Sequence, residues 1–447
     1  MNQPPQLPFR LGWLGLSAGL YGLLGYGVQR EQFPLLITLY ALLFWGYLLR
    51  VRPLSLPSTD AESQLSDRLL FGAAIAFRLL LLPAMPHFSD DFVRFIWDGR
   101  LLANGFNPYL YLPRQLLQTP IAASAGLTDE LFYQLNSPDY YTVYPPLNQF
   151  FFAIAAWLSP VSIQGSVIGL RVPILLADIG SIWLMMKLLR QSGRNPNLAL
   201  LYALNPLVIL ELTGNLHFEG VVIFFVLLAA WLFVTVRLNW SAVAFGLAVS
   251  TKLLPLILLP MLLRYMITRR AVLYCCLVGL VTTGLFLPFV SIDLFRNIGT
   301  SLNLYVQKFE FNASIYYLVR EVGYWVKGYN IIGTAGLALS LLTLVGILYM
   351  ASGRFQQLSG NRVLLTLTLY FALATTVHPW YITSLVAAAV FTRFRYPLIW
   401  SGAVWLSYAT YQTVPYQENL WLTALSYGLV VLAFFRERFV TRVEARS

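Results

Sequence analysis

Gly220-Val221-Val222-Ile223-Phe224-Phe225-Val226-Leu227-Leu228-Ala229-Ala230-Trp231-Leu232-Phe233-Val234 contains no charged side chain. It is the middle of an apolar segment near 217–237. At ~1.5 Å per residue, a helix over that segment crosses the ~30 Å hydrocarbon layer of a bilayer. Comparable segments lie near 11–28, 34–51, 67–84, 167–190, 197–212, 240–263, 271–290, 331–350, 362–377, 380–392, 396–413 and 419–436. A shorter one occupies 145–159. A water-soluble core cannot hide so many apolar stretches. The 447 residues are 58% hydrophobic and 11% charged, which fits an all-α polytopic membrane protein. The segments predict about 12–14 transmembrane helices. The alternating ten-residue strands of a transmembrane barrel are absent.

The net charge of +11 does not describe a nucleic-acid surface. Basic residues gather in short loops, as in Arg264-Tyr265-Met266-Ile267-Thr268-Arg269-Arg270, and near the C-terminus in Arg436-Glu437-Arg438. That is the distribution of cytoplasmic loops. Cys275 and Cys276 are adjacent in an apolar run and carry no redox information. The first apolar segment lacks a small-residue cleavage site and is expected to remain as a span.

Lys and Arg then set the orientation. Loops holding Arg50 and Arg52, Lys187 to Arg194, Arg264 to Arg270, Arg354 and Arg362, and Arg393 and Arg395 are assigned to the cytoplasm, as is the C-terminus. The long stretches 85–144 and 291–330 become first and second extracytoplasmic loops of a single integral membrane domain spanning 1–447. Parity requires 145–159 to be a surface or re-entrant helix. It also requires 240–263 to return to its starting side, broken near Ser250-Thr251-Lys252 and Pro255. Lys252 is costly in lipid unless it faces a polar cavity.

The chain has three histidines, and all fall in polar gaps on the extracytoplasmic side of this scheme. They read His87-Phe88-Ser89-Asp90-Asp91, Gly214-Asn215-Leu216-His217-Phe218-Glu219 and His378-Pro379-Trp380-Tyr381. Ser89 is placed to cap a helix that carries Phe92, Phe95, Ile96 and Leu102 on one face and Asp91, Arg94 and Asp98 on the other. Such a helix is expected to lie on the membrane surface. Asn104-Gly105 ends it. A carboxylate at its start can take the proton of an attacking hydroxyl, although capping and the helix dipole also favour Asp there.

Glu211, Asn215, His217 and Glu219 crowd one membrane boundary, where ionisable groups are functional candidates. Arg78, Arg171 and Asp178 lie within apolar segments and read as packing residues that need polar partners. The second long stretch offers Asn303, Tyr305, Lys308, Glu310, Asn312 and Tyr316 as cover for a substrate. The sequence holds no phosphate-cradling Gly loop, zinc cluster or nucleophile elbow. Its cytoplasmic loops are too short for a nucleotide-sugar domain, so an activated donor should arrive through the membrane.

These motifs resemble the GT-C glycosyltransferases, in the bacterial branch of mannosyltransferase-like proteins that take sugar from a polyprenyl phosphate. The resemblance rests on Ser89-Asp90-Asp91 with Arg94 and Trp97-Asp98-Gly99, Gly105-Phe106-Asn107-Pro108-Tyr109 and Tyr144-Pro145-Pro146. It continues through Asn205-Pro206 to His217-Phe218-Glu219-Gly220, Thr251-Lys252 with Pro255, and His378-Pro379-Trp380-Tyr381. It implies a GT-C-like fold whose large first extracytoplasmic loop carries surface helices and an acidic base. That role falls to Asp91 or Asp90, with Asp91 favoured. It implies an inverting transfer of a hexose, with mannose favoured, from a polyprenyl-phosphate donor to a lipid or glycan acceptor. The site would face outward from a bacterial inner or plasma membrane.

Arg94, His217, Glu219, Lys252, Lys308, His378 and Tyr381 are the residues expected to bind donor phosphate or substrate. A divalent cation, Mg or Mn, on Asp90 and Glu219 is left open. At Glu219 many relatives carry Asp after a polar residue, whereas this chain has Phe218 before it. Two other classes remain beside the transferase. One is a transporter or flippase of lipid-linked sugars, to which Lys252 lends weight. The other is a surface-glycan polymerase or ligase.

Overall fold

The computed structural model describes residues 6–51, 61–307, 309–352 and 359–444. Arg52, Lys308 and Arg354, and the side chains of Asn303 and Tyr305, lie outside the described residues. Among those described, the chain is helical throughout, and its sole β pairing is an isolated bridge from Phe311 to Thr376.

The α-helices of eight or more residues are α1 (Gln6–Tyr26), α2 (Phe33–Val51), α3 (Ala61–Leu80), α4 (Asp91–Ala103), α5 (Pro146–Leu158) and α6 (Ile163–Gln191). They continue with α7 (Glu219–Val234), α8 (Leu238–Thr251), α9 (Thr268–Phe286), α10 (Ile292–Gln307) and α11 (Ile315–Lys327). The last are α12 (Ile332–Ala351), α13 (Gly360–Leu373), α14 (Ile382–Ala389), α15 (Tyr396–Ala403) and α16 (Leu420–Glu444). Among the described residues, five helices can cross a membrane by length and composition, or six if one bent pair counts as a span. The protein is an integral membrane protein. Part of the difference from the larger expected count comes from apolar segments that the fold breaks or keeps short.

Segment 197–212 bends by 64° between Pro196–Ala203 and a π-helical turn at Val208–Gly214. Pro206 lacks the N–H a continuous helix needs, and Asn205 Oδ1 accepts instead from the amide of Leu207 at 3.0 Å. Segment 240–263 breaks at Lys252, whose backbone is extended at φ −158° and ψ 139°. The parity argument anticipated that break. Segments 380–392 and 396–413 fold as the short α14 and α15 with 3₁₀ turns at Pro379–Tyr381 and Val404–Gln412. The stretch 291–330 holds two helices, α10 and α11.

Helix α4 departs most from its expected form. It begins at Asp91 with Asp90 at the N-cap, and no side chain caps it. Ser89 Oγ lies 3.4 Å from the Asp91 amide. Both faces of α4 are buried, from Phe92 to Leu101. One face packs on α5, so closely that a methyl group at Gly99 would collide with the carbonyl of Phe152. The polar face is buried because the stretch after α4 supplies partners. Arg94 bonds Asp98 at 2.8 Å and the carbonyl of Tyr140 at 2.8 Å. Gln149 bonds Asp98 at 3.1 Å, and Arg100 reaches the carbonyls of Gly126 and Val161 at 2.6 and 2.9 Å. Buried charges are tolerated when paired in this way. The helix is therefore packed within the protein on both faces, rather than amphipathic with one face free.

Two buried clamps hold the bundle. Arg78 of α3 meets Asp178 of α6 at 2.5 Å and the carbonyl of Ala203 at 2.7 Å. Arg171 bonds the carbonyls of Leu82, Thr213 and Gly214 at 2.5, 2.6 and 2.9 Å. These are the packing partners the sequence required, and Arg171 fixes the end of the π turn that leads to His217.

Candidate functional site

Several separate chain segments meet beside the N-terminus of α4. The π turn directs Glu211, Asn215 and His217 to one point. Asn215 donates to Glu211 Oε2 at 3.0 Å, and Tyr408 donates to Glu211 Oε1 at 2.7 Å. His217 Nδ1 lies 2.9 Å from the carbonyl of Glu211. A donating Nδ1–H there leaves Nε2 for another partner. Leu216, just before it, sits at φ +63° and is fully buried. That left-handed geometry costs a residue with a Cβ about 1–2 kcal/mol, and it aims the His217 ring.

The His217 ring stacks on Trp380 at 3.7 Å between centroids, and His378 stacks on the same indole at 4.4 Å. The bridge at Phe311 fixes the His378 strand. The Val377 amide donates to the carbonyl of Phe311 at 2.9 Å, and Asn312 donates to the carbonyl of Val377 at 3.0 Å. Burial pushes His378 down to about 3, with the charges of Lys252 and His217 acting the same way. His378 is thus neutral at ordinary pH. Two buried imidazole nitrogens, His217 Nε2 and His378 Nδ1, have no protein hydrogen-bond partner. An unmade bond of this kind costs roughly 1–3 kcal/mol unless a ligand makes it.

Lys252 reaches this place from the break after α8. It forms an ion pair with Glu219, the first residue of α7, and its Nζ lies 3.9 Å from the centroid of the Tyr381 ring. The extended backbone at Lys252 explains how a lysine inside an apolar segment finds polar company. The expected transmembrane cost is avoided by the broken helix.

The neighbouring carboxylates Asp90 and Asp91 have different partners. Asp90 is paired with Arg30 at 2.7 Å. Arg30 comes from the α1–α2 connection, lies 4.8 Å from the Tyr411 centroid and donates to Tyr416 at 3.0 Å. Asp91 forms no ion pair among the described residues, and Asn136 donates to it at 3.1 Å. Burial raises the pKa of Asp91 above the ordinary carboxylate value, against the lowering effects of His217 and Asn136. Glu219 and Asp90 are also within electrostatic reach and add to the rise.

The structure therefore gathers Asp90, Asp91, His217, Glu219, Lys252, His378 and Tyr381. It places Arg94 apart, on Asp98 and loop carbonyls. His87 lies on the approach to α4 and is half-buried, and burial lowers its pKa. Sequence reasoning missed Arg30, Asn136 and Tyr411. Arg30 carried a usable signal, because it is a basic residue in a connection that the charge rule assigns to the side opposite the basic loops. Asn136 carried none.

The donor set does not fit a divalent cation. Asp90 and Glu219 are each neutralised by a basic side chain. Among the described residues no group of three or more His, Cys, Asp or Glu side chains is placed to hold a metal ion.

Residues 14–268 match the family described as alpha-(1->6)-mannopyranosyltransferase, N-terminal domain. The chain is 30% identical over 164 residues to alpha-(1->6)-mannopyranosyltransferase B of Corynebacterium glutamicum, which covers 36% of this chain and 25% of the relative. It is 27% identical over 231 residues to alpha-(1->6)-mannopyranosyltransferase A of Mycobacterium tuberculosis, covering 47% of this chain and 42% of the relative. The chain thus spans less than half the length of these curated relatives. The family match includes Asp90, Asp91, His217, Glu219 and Lys252, and ends before His378 and Tyr381.

Proposed function

The chain belongs to the alpha-(1->6)-mannopyranosyltransferase N-terminal domain family, and we propose on that premise that it is a membrane mannosyltransferase fed by a polyprenyl-phosphate donor on the extracytoplasmic face. The observation that carries this reading is a carboxylate with a raised pKa and no ion pair, Asp91, gathered with Lys252 and two buried imidazole nitrogens, His217 Nε2 and His378 Nδ1, that have no protein hydrogen-bond partner.

In the proposed reaction, Asp91 takes the proton of an acceptor hydroxyl as that oxygen bonds to the anomeric carbon of mannose. A carboxylate with a raised pKa is a stronger base for this step. The bond from the anomeric carbon to the donor phosphate breaks, and the phosphate leaves with the electron pair. Lys252 binds the developing charge, which preorganised groups stabilise best in a site shielded from water. Attack opposite the leaving group inverts the anomeric centre, so an α product requires a β-linked donor. Asp90, held by Arg30, orients the start of α4 and keeps negative charge away from the leaving phosphate.

The lipid tail of the donor has a place beside this centre. An apolar cavity of about 550 Å³ opens between α7, the broken segment after Lys252, and α13 and α14. Val222 and Val226 line one wall, Leu254 and Pro255 another, and Val363 and Ala387 a third. Its wall starts at Val222 and Leu254, shortly after Glu219 and Lys252 in the chain, and extends to Gln191 and Arg194; in this proposal the isoprenoid lies along that wall with its phosphate at Lys252.

The test is transfer of radiolabelled mannose from a purified polyprenyl-phosphate mannose to a mannoside acceptor, with the protein in liposomes. The expected product is an α-(1→6) linkage, identified by NMR, that forms with lipid donor and not with a nucleotide-sugar. Activity with the nucleotide-sugar alone, or none with any lipid donor, refutes the proposal.

A further inference from the structure

A second, differently built pocket lies at the far end of the bundle. Helix α2 starts beside Arg30, which holds Asp90, and ends at Val51 in this pocket. Its nineteen residues rise ~28 Å, about the thickness of the hydrocarbon layer. Helix α6 likewise runs from Arg171, on the π turn, to the Arg194 connection. The pocket and the Asp91 site therefore occupy opposite membrane boundaries, and the pocket is at the boundary of the basic loops.

The cavity is about 840 Å³. Arg194, Arg393 and Arg395 form its polar end, and Trp45, Leu48 and Leu49 of α2 form an apolar wall. Among the described residues, no acidic side chain lines it. Glu437, the carboxylate nearby, accepts from the Arg395 amide at 2.9 Å. Arg194 and Arg395 are fixed by carbonyls, Arg194 on Thr392 at 3.2 Å and Arg395 on Thr392 and Phe394 at 3.0 Å. Arg393 is exposed and forms no hydrogen bond or ion pair among the described residues. Burial depresses the pKa of Arg194 and Arg395. Repulsion from Arg393 adds to this at Arg194; at Arg395 repulsion from Arg194 adds to it, while Tyr47 and Glu437 act the other way. Three guanidiniums held together without a lining carboxylate repel one another, and a bound phosphate group relieves that repulsion.

Trp45 and Leu49 are 64% and 53% exposed, and they continue the apolar wall along α2 away from the arginines. A cationic end joined to a lipid-facing apolar wall with a tryptophan at the boundary has the polarity of a phospholipid. We propose that this pocket is a structural binding site for the headgroup of an anionic phospholipid, with the phosphodiester on Arg194 and Arg393 and an acyl chain along Trp45 and Leu49. The shared chemistry with free phosphate is the anion; the apolar wall selects the lipid. The inference does not depend on the proposed transferase activity.

The test uses the full chain in nanodiscs of phosphatidylcholine doped with spin-labelled phosphatidylglycerol, with inorganic phosphate as a separate probe. Wild-type protein should retain phosphatidylglycerol over spin-labelled phosphatidylcholine. Arg393→Gln should weaken that retention about fivefold, the equivalent of the ~1 kcal/mol carried by one basic residue near an anionic surface. Arg194→Gln with Arg393→Gln should abolish the preference. Arg393 makes no contacts that folding needs, so its variant should melt normally in pure phosphatidylcholine. Equal retention of phosphatidylglycerol by wild type and the double variant overturns the proposal. So does a preference that inorganic phosphate at millimolar concentration removes completely, which would make the site one for a free anion.

Discussion

Arg30 Nη2 stands 2.7 Å from Asp90 Oδ2, and this one contact separates two adjacent aspartates into different chemical species. Asp90 is neutralised by a guanidinium that two tyrosine rings also hold, 4.8 and 5.7 Å away. Asp91, one residue on, keeps a carboxylate that a single amide contacts.

Asp91→Asn should lower kcat for mannosyl transfer by roughly 10²–10⁴-fold with little change in melting temperature, as loss of a general base does. Asp90→Asn and Arg30→Gln should each cost less, and combining them should cost little more than either alone, because they remove the same contact. Kinetics on the four variants decide the matter. A larger kcat loss for Asp90→Asn than for Asp91→Asn would exchange the assignments.

The pH profile follows from the raised pKa of Asp91. The base must be ionised, so activity is absent at low pH and rises as pH climbs through the Asp91 pKa, which lies above the ordinary carboxylate value. Asn136 lowers that pKa by hydrogen bonding to the charged form. Asn136→Ala should therefore move the acid limb of kcat/KM to higher pH. His378, held down to about 3, should contribute no step near neutral pH. His378→Gln should leave the position of the limb unchanged, and a shift there would contradict the neutral assignment.

Lys252→Gln should raise the KM for the lipid donor more than that for the acceptor, since the proposed partner of Lys252 is the phosphate. It also leaves Glu219 without its cation. The double variant Lys252→Gln/Glu219→Gln should recover stability in a detergent melt while donor binding stays weak. Recovery of donor KM in the double variant would show that the lysine serves only to balance Glu219.

Asp178→Ala should destabilise the protein by about 3–5 kcal/mol, because Arg78 then remains buried without its carboxylate. Replacing both residues by apolar ones of similar size should restore much of the loss. Thermal unfolding in a single detergent measures each step, and an unchanged melting temperature for Asp178→Ala would rule out the clamp.

The sequence alone was sufficient for the membrane class, because apolar length is a local property and the cost of lipid-exposed polar groups is large. It also located the break at Lys252, since a lysine and Pro255 inside an apolar segment leave little else. It listed Asp91, His217, Glu219, Lys252, His378 and Tyr381 as a set, although the joining of residues so far apart in the chain is a tertiary fact. Arg94 was assigned to the site because 3.6 periodicity puts it on the face of Asp91; only the structure shows that face sealed by Ser137, Tyr140 and Gln149. The choice between Asp90 and Asp91 was invisible in the sequence, where the two share one residue type and one helix end. It depends on Arg30 and Asn136, which arrive from other elements. Periodicity and composition report what a residue prefers to touch, whereas a partner brought by a distant segment depends on packing of the whole chain.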